Sequence, residues 1–194
     1  MGECFIEGKR KIAMRESIIK GTLALWDYND KVEIIYERIG EGTFTNDKIG
    51  AVNREPATIV VNINWYETAE ERDIKGILRH EARHLYQRSQ VRKYLEGLPI
   101  SEDPKKIEEW AKNFQFYIPN TPMTEVQHFK QACEYDAYVY STFLDSVEHY
   151  KNGTFNMQII QYPGIADALE REVGAKLNKM SEREIKMLKE RLRI

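Results

Sequence analysis

Residues 57–88 read ATIVVNINWYETAEERDIKGILRHEARHLYQR, and the hydrophobic period changes inside this stretch. Its first part, residues 57–64, is a short run rich in β-branched residues after Pro56, the composition of a strand. From about Thr68 to Arg88 the apolar residues recur at helical spacing. Thr68, with Glu71 three residues on, reads as a capping box that opens the helix. At ~100° per residue, Ile74, Ile77, Leu78 and Leu85 form one stripe. Glu81 falls in the middle of that stripe, and His80 and His84 run along its edge. A carboxylate at a core-facing position is costly unless it is paired or employed in chemistry.

Residues 80–84, His-Glu-Ala-Arg-His, have the H-E-x-x-H pattern. Positions i and i+4 lie one above the other on a helix face, with Cβ atoms about 5–6 Å apart. Two imidazole nitrogens so placed can converge on one ion at ~2.0–2.1 Å. The Glu after the first His reaches a neighbouring part of the same cleft, close enough to take a proton from a metal-bound water without ligating the metal. The bland alternative is a surface helix with two incidental histidines and a Glu paired to an Arg.

Outward from this stretch the pattern is α+β. A helix is predicted over residues 10–25, with Ile12, Ile18, Ile19 and Leu23 as its buried set, then a turn at Tyr28-Asn29-Asp30. Residues 32–39 read as a strand, and Gly40, Gly42, Asn46 and Asp47 mark a hairpin-like region. Beyond the motif, a helix over 104–114 has Asp103 as N-cap and Pro104 at its first position. Residues 117–122 read as loop. One long helix then runs to about residue 150, with Val126, Phe129, Cys133, Ala137, Tyr140, Leu144 and Val147 as its apolar stripe. Two terminal helices follow, over 165–177 and 182–193, the second opened by a Ser181/Glu184 capping box. The domain reading is a unit over residues 1–150 and a helical extension over 151–194 packed on it.

Composition narrows the function classes. The 194 residues carry 29 basic and 31 acidic side chains, without the basic excess of a nucleic-acid binder. The two cysteines, Cys4 and Cys133, make neither a disulfide framework nor a zinc site by themselves. No apolar run approaches the ~20 residues that span a bilayer. Residues 1–20 lack the continuous apolar segment of a secretory signal. The expectation is a cytoplasmic protein without membrane or nucleic-acid partners.

A catalytic zinc takes three protein ligands and keeps one position open. Besides His80 and His84 the chain has only His128 and His149, and Gln90 stands where a metzincin would need its third histidine. His128 reads as a polar or partly buried residue, and His149 as a charge partner at a helix C-terminus. A carboxylate from the later helix is the natural third ligand, and Glu134 and Asp136 are both available in the segment Glu134-Tyr135-Asp136-Ala137.

HEARHLYQ followed by a helical EYDAY resembles the gluzincin metallopeptidases, especially the short stand-alone members of bacteria and their mobile elements. The resemblance covers about residues 57–143. It implies a zincin-like fold with a small, mostly antiparallel sheet on the active-site helix. It also implies Zn2+ held by His80, His84 and Glu134, and Glu81 as catalytic base. The family's trailing Asp is Tyr138 here, a departure that bears on how the ligands are oriented. Such enzymes use a Tyr or His to stabilise the oxyanion, and Tyr86, Tyr138, Tyr140 and His128 are the residues on offer. The implied activity is hydrolysis of a peptide or protein substrate, with Glu81 moving a proton from a zinc-activated water to the leaving amine. The substrate is expected to pair with a free edge of the strand over 57–64, whose Val61 and Ile63 should face the motif helix. Rival readings are an inactive zincin fold kept as a binding or regulatory module, and a helical interaction protein with an accidental motif.

Overall fold

The computed structural model describes residues 16–192 apart from 29, 47, 56 and 158–163. In chain order it shows α1 (16–24), β1 (Glu33–Glu37), β2 (Ala51–Arg54), β3 (Thr58–Asn62) and α2 (Ile63–Thr68). Then come α3 (Glu71–Leu95), α4 (Pro104–Gln115), α5 (Glu125–Lys130), α6 (Ala132–Glu148), α7 (Ala166–Leu177) and α8 (Glu182–Leu192). The class is α+β, with a small sheet packed against α3 and helices thereafter.

The sheet corrects two expectations. Its order is β1-β3-β2, with β1 and β3 parallel and β2 and β3 antiparallel, so it is mixed rather than mostly antiparallel. The strand read over 57–64 is β3, and it sits in the middle, paired on both sides. It has no free edge to offer a substrate. The physical reason stands in its composition: all five residues of β3 are buried, and a continuous β-branched run marks a strand covered on both faces. The free edge near the motif helix belongs instead to β2, whose sequence AVNR is short and ends in Asn and Arg, the composition of an edge. Asn62 does not share a strand face with Asn64, nor does Ile63 with Val61. The side chain of Asn62 caps α2 by accepting from Asn64 N and Trp65 N, which turns the chain into a helix at Ile63.

Ile59 and Val61 of β3 pack with Ile74, Leu78 and Leu85 of α3 and with Ile18, Ile19 and Leu23 of α1. Each such side chain contributes roughly 1.5–3 kcal/mol by leaving water. Helix α3 is the axis of the molecule. Every residue from Leu78 to Gln87 is buried, because the sheet, α4 and α6 all lie against it. Its start differs from the expectation: Thr68 ends α2, its Oγ1 donating to Trp65 O at 3.0 Å, and Glu70 precedes α3 without a side-chain cap. Its end lies beyond Arg88, at Leu95.

Helix α4 begins as expected, Asp103 Oδ1 accepting from Lys105 N at 2.8 Å. The single long helix predicted after residue 121 is two helices. They break at Gln131, whose backbone is extended (φ −60°, ψ 136°). Its side chain holds the preceding loop: Oε1 accepts from Ile118 N at 2.9 Å and Nε2 donates to Ile118 O at 2.9 Å. Of the predicted stripe, Phe129, Cys133, Ala137, Leu144 and Val147 are buried, Tyr140 is half-buried and Val126 is exposed. Helices α7 and α8 cover α6 through Leu169, Val173, Leu177 and Ile185, packed with Val139 and Val147. The Ser181/Glu184 capping box forms, Glu184 Oε2 accepting from Ser181 N at 2.7 Å. Cys4 and Ile12 lie outside the described residues, and Cys133 is a free, buried thiol. Among the described residues no helix is long and apolar enough to cross a membrane.

Candidate metal centre

Helices α3 and α6 cross so that one turn of the first faces the start of the second. His80 and His84 come from α3 and Glu134 from the first turn of α6, and all three are buried. His80 Nε2 lies 3.0 Å from His84 Nε2. Glu134 spans the pair, with Oε2 at 3.2 Å from His80 Nε2 and Oε1 at 3.4 Å from His84 Nε2. These separations suit one ion. Ligands at ~2.0–2.1 Å in a tetrahedron stand roughly 3.3 Å apart. The donor set of two imidazoles and a carboxylate suits a divalent transition metal.

The electrostatics of the three groups are coupled. Burial disfavours charge on His84, but the Glu134 carboxylate, helped by Glu81 and Gln87, outweighs it and raises the His84 pKa to about 9. Burial likewise opposes charge on Glu134, but His84 and His80 hold its pKa well below the usual carboxylate range. A cation that entered this cluster would therefore compete with the proton that the Glu134 carboxylate favours on His84.

No family model, curated protein or solved structure matches this chain. The likeness to gluzincins thus rests on the residues themselves. Their ligand-type members meet in space, as the two motifs imply.

Glu81 is buried beside the cluster, and its Oε2 accepts from Asn53 Nδ2 at 2.9 Å. Asn53 lies on β2 and is itself fixed by Arg88 Nε, which donates to its Oδ1 at 3.0 Å. The edge strand therefore reaches the motif helix at Glu81 and at Arg88. Asp136, the other acid considered for the third position, points elsewhere. Arg83 Nε donates to its Oδ2 at 2.7 Å and Lys106 Nζ lies 2.8 Å from Oδ1. Burial opposes the Asp136 charge, but Arg83 and Lys106 lower its pKa regardless.

The expected oxyanion residues separate into two groups. Tyr86 and Tyr140 sit around the Arg83 guanidinium, with ring centroids 4.6 and 3.7 Å from its carbon. Tyr138 and His128 are at the centre: the Tyr138 ring lies 4.3 Å from that of His80, and His128 Nε2 is 3.6 Å from Glu134 Oε2. His149 closes α6, its Nδ1 2.9 Å from Asp145 O.

Three residues at the site were not singled out from sequence. Tyr117, in the loop before α5, donates to Glu134 Oε1 at 2.8 Å. Nothing in a loop tyrosine among eleven signals this, because the contact depends on Ile118 being tied to His128 and Gln131. Asn53 has no signal either, since the sequence predicts no strand over residues 51–54. Gln87 accepts from His84 Nδ1 at 2.8 Å, and its place three residues on along the same helix was a legible cue.

A cavity of about 320 Å3 opens beside His80, walled by Trp65, Ile77 and Tyr138 with Thr142 and Asp73 among its polar lining. Two glycines shape it. At Gly50 a Cβ would come within 2.6 Å of the Trp65 ring, so only glycine lets that ring lie where it does. At Gly76, in the pocket wall, a Cβ would meet nothing within 4 Å.

Proposed function

We propose that this protein is a zinc-dependent peptidase in which His80, His84 and Glu134 hold the metal and Glu81 is the general base. The observation that carries the reading is the juxtaposition of two carboxylates with different surroundings: Glu134 faces both imidazoles, while Glu81 stands aside, oriented by Asn53. Zinc bound there would supply an activated water and polarise the scissile carbonyl. Glu81 would take up the proton on the oxygen not engaged by Asn53 and deliver it to the leaving nitrogen. Tyr117 and His128 stand over Glu134 as hydrogen-bonding groups for the reacting carbonyl.

The substrate would lie extended along the outer edge of β2, the strand whose Asn53 touches Glu81, with backbone pairing supplying affinity. A side chain of the substrate would enter the cavity beside His80. Its walls of Trp65, Ile77 and Tyr138 favour a large apolar or aromatic group.

The test is Glu81→Gln with a mixed peptide library, read by mass spectrometry, alongside metal analysis. The wild-type protein should carry close to one zinc per chain and cleave. The variant should keep the metal and lose cleavage, by about 10²–10⁴-fold for a general base. A zinc-loaded wild-type protein that cleaves nothing would leave a metal-binding module, and the peptidase reading would be wrong.

A further inference from the structure

We infer that Gln87, backed by Asp136, is a positioning residue that decides which ring nitrogen of His84 faces the metal. The inference rests on the metal-site reading above and adds to it the device that orients one ligand.

The logic runs through acceptors that cannot donate. Gln87 Nε2 lies 2.9 Å from Cys133 O and 2.8 Å from Asp136 Oδ2. A carbonyl and an ionised carboxylate only accept, so the NH2 end of the amide must be the end that faces them. The Oε1 end then faces His84 Nδ1 at 2.8 Å. An amide oxygen only accepts, so Nδ1 must carry a hydrogen. The nitrogen left to bind metal is Nε2, the one 3.0 Å from His80 Nε2 and 3.4 Å from Glu134 Oε1. Turning the amide over would set its oxygen against two acceptors and offer N–H groups to Nδ1. That would favour the tautomer with the hydrogen on Nε2, where it blocks the metal.

What prevents this is outside the site. Asp136 is pinned by Arg83, whose Nε and NH2 donate at 2.7 and 3.3 Å, and by Lys106 at 2.8 Å. Arg83 is itself fully buried, with Tyr140 and Tyr86 against its guanidinium. The order Arg83, Asp136, Gln87, His84 thus transmits a fixed polarity from a permanent cation to a metal-facing nitrogen. His80 has no counterpart. Its Nδ1 is buried without a hydrogen-bond partner among the described residues, and the Tyr138 ring lies against it.

The experiment uses the full chain and zinc alone, titrated against a competing chelator, with His84→Ala as reference. Gln87→Leu should weaken zinc by ~10–100-fold, the range of outer-shell losses at such sites. Gln87→Glu retains an oxygen for Nδ1–H but sets its other oxygen against Cys133 O and Asp136 Oδ2, so it should recover only part of that loss. Gln87→Met, closer to the native chain length, repeats the measurement should Leu disturb folding. Nitrogen-15 spectra of the zinc-loaded protein supply a readout that a merely structural role would not move. In the wild type His84 should bind through Nε2 with a slowly exchanging Nδ1–H, and in Gln87→Leu or Gln87→Met that hydrogen should exchange freely. Unchanged zinc affinity and an unchanged Nδ1–H signal in those variants would overturn the positioning role while the metal site stood. A wild-type protein that takes no zinc would overturn the metal site and this inference together.

Discussion

Glu134 and Asp136 stand two residues apart on one helix, both buried and both ionised, yet they live in different chemical worlds. Glu134 faces imidazoles, whose protons can leave. Asp136 faces a guanidinium and an ammonium, and the guanidinium does not deprotonate in a protein. The first arrangement can exchange its proton for a metal, whereas the second is a permanent ion pair that holds α3, α4 and α6 together. Partner chemistry, not burial or charge, separates a carboxylate that can work from one that can only brace. Further pairs of the bracing kind line the interface, where Arg72 clasps Asp145, and Arg79 and Lys75 share Glu148.

The sharpest way to break this comparison is to remove each acid in turn. Glu134→Ala should abolish stoichiometric zinc. Asp136→Asn, which keeps an acceptor for Gln87, should leave zinc bound but loosen the fold. Arg83 keeps Glu102 at 2.9 Å, so the cost should stay below the roughly 3–5 kcal/mol of a fully unpaired buried charge, a fall in Tm of about 5–10 °C for a chain of this size. Zinc analysis and thermal melts on the two variants decide the matter, and the reverse pattern would exchange the two roles.

A smaller effect tests whether the cavity beside His80 belongs to the working side. Gly76→Leu should fill it without a backbone clash, since nothing lies within 4 Å of the new Cβ. Zinc content should stay the same and helix α3 should gain up to ~1 kcal/mol in propensity. Cleavage of peptides with large apolar side chains should suffer through KM. If peptides with small side chains are affected equally, the cavity is not the side-chain pocket.

The mildest test is pH, on metal-free protein. The raised His84 pKa means that its pairing with Glu134 stabilises the fold fully below about 6.5 and loses that contribution as pH rises through about 9. The lowered Glu134 pKa works the other way: its contribution is present above about 4.5 and is lost on acidification. The Arg83–Asp136 pair has no such alkaline loss. The Tm should therefore fall by a few degrees between pH 6.5 and 9 in the wild type, and the slope should flatten in His84→Ala. An equal slope in both proteins would place the alkaline loss elsewhere.

Much of the motif helix was legible because one helical period relates Ile74, Leu78, Glu81 and Leu85 to a single buried face. Capping chemistry likewise placed the starts of α4 and α8, since Asp103 and Ser181 act on backbone within a few residues of themselves. The start of α3 failed at Thr68 because Asn62 opens a separate short helix, and Thr68 is used up in closing it. The break at Gln131 was invisible for another reason. Its side chain satisfies the backbone of Ile118, thirteen residues away, and no local propensity records that bond. The place of β3 differs from the expectation although its signal is local: an unbroken β-branched run is what a strand buried on both faces looks like.

The sequence by itself determined the helix that carries His80, Glu81 and His84 on neighbouring faces, because helical geometry fixes what lies at i, i+1 and i+4. It also supplied two acids on a later helix. Tertiary structure alone decided between them, because which acid meets an imidazole and which meets a guanidinium depends on how α6 is rotated against α3. That rotation is set by packing, by Cys133 clustered with Tyr86 of α3 and with Ile107 and Trp110 of α4, no less than by the charges. Tertiary structure also brings Tyr117 to Glu134 and Asn53 to Glu81, from parts of the chain with no period or motif in common.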